Sequence, residues 1–90
     1  MKNNNTGNSN IAIGSNSLLE NISGFDNIAI GLNSLSSSIN SSSNIAIGNY
    51  SLNTNTGNNN IAIGNNSLIN NATGNFNIAI GNNSLVNSSN

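Results

Sequence analysis

Three side chains in this 90-residue chain carry charge: Lys2, Glu20 and Asp26. There is no His and no Cys. General acid–base catalysis needs a group that exchanges protons near neutral pH, and nucleophilic catalysis needs a base beside the attacking hydroxyl. The chain holds 20 Ser or Thr hydroxyls but no imidazole to activate one. Glu20 and Asp26 fall in different corners of the repeat described below, so they do not make a working pair. The expectation is a chain that is not an enzyme, with no catalytic residue, no cofactor and no metal site. Asp26 is a candidate cation contact. A solvated corner carboxylate is the plainer reading, because calcium-binding rolls place Asp in every coil and this chain does not.

The same scarcity of charge bears on partners. A net charge of −1 leaves nothing to neutralise phosphates, so neither nucleic acid nor an anionic membrane surface is expected. It also offers little repulsion between copies of the chain. No apolar run approaches the length of a membrane span, and residues 1–4 lead into polar sequence rather than a secretory core. Without Cys, neither a disulfide framework nor a thiolate metal site is available. Asn-x-Ser/Thr triplets begin at Asn4, Asn21, Asn40, Asn49, Asn65, Asn71, Asn82 and Asn87. A chain with 27 Asn and 20 Ser or Thr yields such a number by chance, so glycans on corner Asn are a partner without special support. Phe25, Tyr50 and Phe76 do not share one repeat position. They read as local cover of the edge rather than as a sugar-binding platform.

What positions these residues is a repeat. Asn-Ile-Ala-Ile-Gly occurs five times, starting at Asn10, Asn27, Asn44, Asn60 and Asn77, with spacings of 17, 17, 16 and 17 residues. Each copy is followed by a Ser-Leu pair: Ser17-Leu18, Ser34-Leu35, Ser51-Leu52, Ser67-Leu68 and Ser84-Leu85. A short unit copied at fixed period is the signature of a solenoid. The expected fold is all-β: a parallel β-solenoid, or β-roll, of five coils of about 17 residues. The coils are residues 7–23, 24–40, 41–56, 57–73 and 74–90, with residues 1–6 as an N-terminal half-coil arm. Disorder, which Asn- and Ser-rich composition also suggests, does not place Ile, Ile and Leu in fixed columns.

Ile favours the pleated surface, so Ile-Ala-Ile reads as a short strand. The following Gly-x-Asn is a corner, since Gly and Asn accept positive φ. Ser-Leu is expected to open a second short strand with Leu inward. Stacking at about 4.8 Å turns the columns into ladders, among them an amide ladder of Asn10, Asn27, Asn44, Asn60 and Asn77. Alternation puts the two Ile of a strand on one face and Asn, Ala and Gly on the other. Two assignments follow. With Ala inward, ten Ile lie outside and need a partner chain. With Ile inward, each chain has its own core. The Ile-inward assignment is adopted here. It makes the structural core Ile11, Ile13, Leu18, Ile28, Ile30, Leu35, Ile45, Ile47, Leu52, Ile61, Ile63, Leu68, Ile78, Ile80 and Leu85. The residue missing from the third unit should be absorbed within 53–56, because a slip would turn every later Ile to the other face.

Copies such as Asn60-Ile61-Ala62-Ile63-Gly64-Asn65-Asn66-Ser67-Leu68 resemble the head repeats of trimeric autotransporter adhesins and related repeats of phage tail fibres. Those carry a Ser/Asn-Val/Thr-Ala-Ile/Leu-Gly core with a following Ser or Ala. The resemblance runs through all five units. It implies a left-handed parallel β-roll, often trimeric, in an extracellular or surface-associated fibre. The coil here is longer than the usual head repeat, and no coiled-coil stalk or membrane anchor follows.

Three functions compete. The first is a structural subunit that self-assembles end to end into a homopolymeric filament. The last unit keeps the same Ile, Ile and Leu as the middle ones, and unlike ends that meet without closing make a fibre. The assembly ends would be Met1, Leu85 and Val86, with Met1 falling in the Leu column. The second is a trimeric adhesin-head or tail-fibre binding module. The third is ice binding, disfavoured because Thr does not form a ladder. Under the Ile-inward assignment, Ile45→Asp buries an unpaired charge mid-stack and should be severely destabilising. Unchanged thermal unfolding of that variant would reject the assignment.

Overall fold

In a computed structural model, residues 7–55, 57–69 and 74–86 are described. The proposed arm, residues 1–6, lies outside them. Five three-residue strands, β1 (Ile11–Ile13), β2 (Ile28–Ile30), β3 (Ile45–Ile47), β4 (Ile61–Ile63) and β5 (Ile78–Ile80), form one parallel sheet in sequence order. Each strand pairs with its equivalent in the next coil, Ile on Ile and Ala on Ala: Ile28 with Ile45, Ala29 with Ala46. The chain is therefore an all-β parallel β-solenoid with one coil per repeat. No helix among the described residues is long and apolar enough to cross a membrane.

The faces are the reverse of the Ile-inward assignment. Ala29, Ala46 and Ala62 are fully buried and Ala79 nearly so. Ile11, Ile13, Ile63, Ile78 and Ile80 are exposed, while Ile28, Ile30, Ile45, Ile47 and Ile61 are half-buried by their ladder neighbours. None of the ten Ile belongs to the interior core, which consists of Ala29, Ala46, Ala62 and Ala79 with Leu18, Leu35, Leu52 and Leu68. The reason lies one residue before each strand. Alternation gives Asn27 and Ala29 the same face, and the Asn amide is needed inside, where it ties one coil to the next. Ala then leaves room for the Leu arriving from the opposite wall. An Asp at position 45, expected to be buried mid-stack, would instead sit on the half-buried outer face.

The Ser-Leu segment also departs from expectation. It is a run of turns, not a strand. Leu18, Leu35, Leu52, Leu68 and Leu85 all sit at φ between 47° and 48°, a left-handed conformation that costs a non-glycine residue about 1–2 kcal/mol. The turn aims Leu inward, and four of the five are fully buried. Coil-to-coil bonding persists without a strand: the Leu18 N–H donates to Ser34 O at 3.0 Å and the Leu35 N–H to Ser51 O at 3.0 Å.

The short third unit keeps its register, with Ile45 opposite Ile61. Its bonding matches the other coils as far as Thr54, whose N–H reaches Ile69 O at 3.1 Å, as the Ser37 N–H reaches Asn53 O. The deletion thus falls after Asn55. There the buried Asn55 amide closes the gap, donating to Gly57 O at 2.9 Å and accepting from the Gly57 N–H at 3.1 Å.

The glycine after each of the first four strands is fixed by both conformation and space, and Gly81 after β5 by conformation alone. Gly31 has φ +129°, and a Cβ there would lie 2.6 Å from Gly48 O. Coils touch backbone to backbone at this corner.

The face assignment gives a paired prediction. Ala46→Leu overpacks the interior and should lower unfolding stability by about 1–3 kcal/mol. Ile45→Thr keeps the β-branch on the outer face and should cost the isolated chain no more than about 1 kcal/mol. Denaturant unfolding of dilute protein measures both, and the opposite ranking would reject the fold's inside and outside.

Candidate functional site: the asparagine ladders and the isoleucine face

Corners of a solenoid leave backbone N–H and C=O groups that no strand ladder reaches, and each must be satisfied. The Asn before each strand does this. The Asn27 Oδ1 accepts the Asn44 N–H at 3.0 Å, and its Nδ2 donates to Ser41 O at 2.8 Å. The same pair of bonds runs from Asn10 to Asn27 N–H and Gly24 O, from Asn44 to Asn60 N–H and Gly57 O, and from Asn60 to Asn77 N–H and Gly74 O. Amides also touch each other, the Asn44 Nδ2 lying 3.2 Å from Asn27 Oδ1. Asn27, Asn44 and Asn60 are fully buried, while Asn10 and Asn77 at the ends are half-buried.

Other ladders carry equivalent bonds and were not assigned from the sequence. The Ser before each Leu donates its hydroxyl to the Gly carbonyl three residues back, as Ser17 to Gly14 O at 3.0 Å and Ser51 to Gly48 O at 2.9 Å. That Ser is present in all five units, so the signal was visible and only its role was missing. On the outer corner, Asn49, Asn65 and Asn82 accept the N–H of Leu32, Asn49 and Asn65 respectively, each at 3.0 Å. At the other corner, Ser42 accepts from the Phe25 N–H, Asn58 from the Ser42 N–H and Asn75 from the Asn58 N–H. These bonds explain three of the glycosylation triplets. Asn49, Asn65 and Asn82 are held for the outer ladder and Ser51, Ser67 and Ser84 for the glycine carbonyl, so the Asn-x-Ser spacing follows from the coil.

The Ile face lies between those corners. It holds ten β-branched apolar side chains in two columns and no charged residue. Of the named assembly ends, Leu85 is 50% exposed whereas Leu18, Leu35, Leu52 and Leu68 are at 0%, Val86 is half-buried, and Met1 lies outside the described residues. Phe25, Phe76 and Tyr50 are exposed at corners, Phe76 and Tyr50 with positive φ. Glu20 and Asp26 are exposed, and the described residues hold no group of three His, Cys, Asp or Glu fit to hold a metal.

Fold and ladders together define a parallel β-solenoid whose coils are joined by buried asparagine. The chain matched no family model, no curated protein and no solved structure.

The buried ladder makes a pH prediction. Asn27→Ala strands the Asn44 N–H and Ser41 O in the interior, at about 1–3 kcal/mol each. In Asn27→Asp, a neutral carboxyl keeps both bonds, donating to Ser41 O and accepting from the Asn44 N–H, whereas a carboxylate faces a carbonyl without water. The folded pKa is therefore raised above the unfolded value of about 3.9. Below that value both states are protonated and stability stays near wild type. As pH rises above it the unfolded state loses its proton first, and stability falls until the folded group ionises. Thermal unfolding at about pH 3 and pH 7 measures this, and a pH-independent variant would remove the ladder's role.

Proposed function

We propose that the chain is a structural, self-assembling module of an extracellular or surface-associated fibre, non-catalytic, whose partner is further copies of itself. The observation that carries the reading is the outward Ile face. Monomeric proteins rarely expose contiguous apolar patches of more than a few hundred Å², and here both Ile of every coil lie on the outer face. Burying ten partly exposed Ile from each of two chains supplies on the order of 10–20 kcal/mol. That compares with an association cost of about 4–15 kcal/mol.

A second copy is the fitting occupant because the face is ridged at the repeat of the coils themselves. Only a surface with the same period interdigitates along its whole length, as identical side chains do in dry zipper interfaces. Side-by-side association also suits the adhesin-head and tail-fibre resemblance, in which copies are grouped about a common axis. No comparable observation favours ice binding.

The test is the mass of the chain in solution by light scattering. Wild type is expected to be a multimer. Ile45→Thr with Ile47→Thr should shift it toward monomer by at least tenfold in dissociation constant, with the far-ultraviolet circular dichroism of the solenoid kept. A wild-type chain that stays monomeric at high concentration, or a double variant with unchanged mass, would overturn side-by-side association.

A further inference from the structure

The ladders have a direction, and it differs between the inside and the outside of the coil. Inside, each Asn Oδ1 accepts from the coil that follows it, as Asn10 from the Asn27 N–H. At both outer corners the side-chain oxygen accepts from the coil that precedes it, as Asn82 from the Asn65 N–H and Asn75 from the Asn58 N–H. The backbone flanking the strands runs both ways: before the strand the Ile61 N–H donates to Asn77 O of the following coil at 2.8 Å, and after it the Gly81 N–H donates to Ile63 O of the preceding coil at 2.8 Å.

The two edges of the stack therefore carry different unfilled groups. Among the described residues, on the coil-five edge Asn77 Oδ1 has no N–H to accept and the N–H groups of Asn75, Ile78 and Asn82 have no acceptor. On the coil-one edge stand the counterparts: the Asn10 N–H, the side-chain oxygens of Asn8 and Ser15, and Asn10 O. Each donor of one edge has its acceptor at the same or the adjoining column of the other. Each edge carries both donors and acceptors, but joining two like edges reverses the order of the columns, so these four pairs cannot form together in register. The Leu column agrees, since Leu85 is half exposed where the other four are sealed.

We infer that the edges are two halves of one ladder, so that copies of the chain add along the solenoid axis in head-to-tail polarity only, coil five of one upon coil one of the next. This rests on the reading of the chain as a self-assembling structural module. It is separate from the Ile face, since axial contacts leave that face free. The seam has four side-chain and backbone pairs at columns 2, 4, 5 and 9 of the unit, and it is open at each end of the growing rod. Growth therefore does not close into a fixed oligomer.

Adjacent coils place equivalent Cα atoms about 4.8 Å apart, inside the disulfide range. The test uses the full 90-residue chain carrying Asn8→Cys with Asn75→Cys, oxidised with copper phenanthroline and run on a non-reducing gel. The expected result is a ladder of disulfide-linked multimers. Each single-Cys chain should remain uncoupled, and a mixture of the two singles should stop at dimers. Dimers from Asn75→Cys or Asn8→Cys alone would mean like edges meet, and overturn the polarity. Absence of multimers from the double variant at high concentration would overturn axial addition.

Ile78→Pro supplies a second readout, because Pro at an edge removes one N–H that β4 does not use. It should shorten the rods seen by electron microscopy at least tenfold, while Ile78→Val, which keeps the N–H, should not. Equal rod lengths for the two variants would overturn the seam. The Ile45→Thr, Ile47→Thr double variant separates the two readings. Loss of side-by-side mass with cross-linking intact would assign the axial seam independently of the face.

Discussion

Every coil must leave no backbone polar group of its corners unsatisfied, and the rest of the structure depends on that constraint. Three-residue strands satisfy only a few of the N–H and C=O groups in a 17-residue coil. The remainder are met by bonds to the coil above or below, from Asn inside, from Ser and Asn at the corners, and from backbone at the left-handed Leu turn. Burying an amide is unfavourable unless its bonds are made. Here the buried Asn27, Asn44 and Asn60 each make at least two, to a neighbour that is the same coil again. This is why one unit has no independent stability and why the repeat is rigid in sequence at Asn, Ala, Gly, Ser and Leu.

The inside-out placement of hydrophobic residues follows. An interior that must hold amides and hydroxyls in a fixed bonding pattern has little volume left. One Ala and one Leu per coil fill it. Ile, with its preference for a pleated surface, still shapes the strand but does so from outside, where each ladder shields only part of it. The coil is thus joined by polar ladders within the chain and carries its two Ile columns on the outer face.

Much of the fold was legible in the sequence because periodicity is a local observable. The five Ile-Ala-Ile strands, their parallel register, the corner at Gly14-Ser15-Asn16, the Asn ladder and the absorbed deletion near Asn55 all follow from counting residues. Which face is inside was not legible by the same means. Alternation says that Ile11 and Ile13 share a side but not which side. The usual rule that Ile outranks Ala for burial selects the wrong one. The deciding signal was Asn10, Asn27, Asn44, Asn60 and Asn77, which share the Ala side. An invariant amide beside a small residue marks an interior built on hydrogen bonds. The Leu turn was hidden for another reason: nothing in Leu18 or Leu35 announces positive φ, and the cost is borne because burial and the bond to the next coil over-determine the conformation.

The opposed directions of the amide ladders have an electrical consequence. In an α-helix all peptide dipoles point one way and add to partial charges at the two ends. Here the buried Asn27 amide turns both its oxygen and its nitrogen to the following coil, while the corner Asn82 amide turns its oxygen to the preceding one. No common alignment of side-chain dipoles builds up along the solenoid axis. With a net charge of −1, the coil has little long-range field, and its surface is distinguished at close range by shape and apolar character.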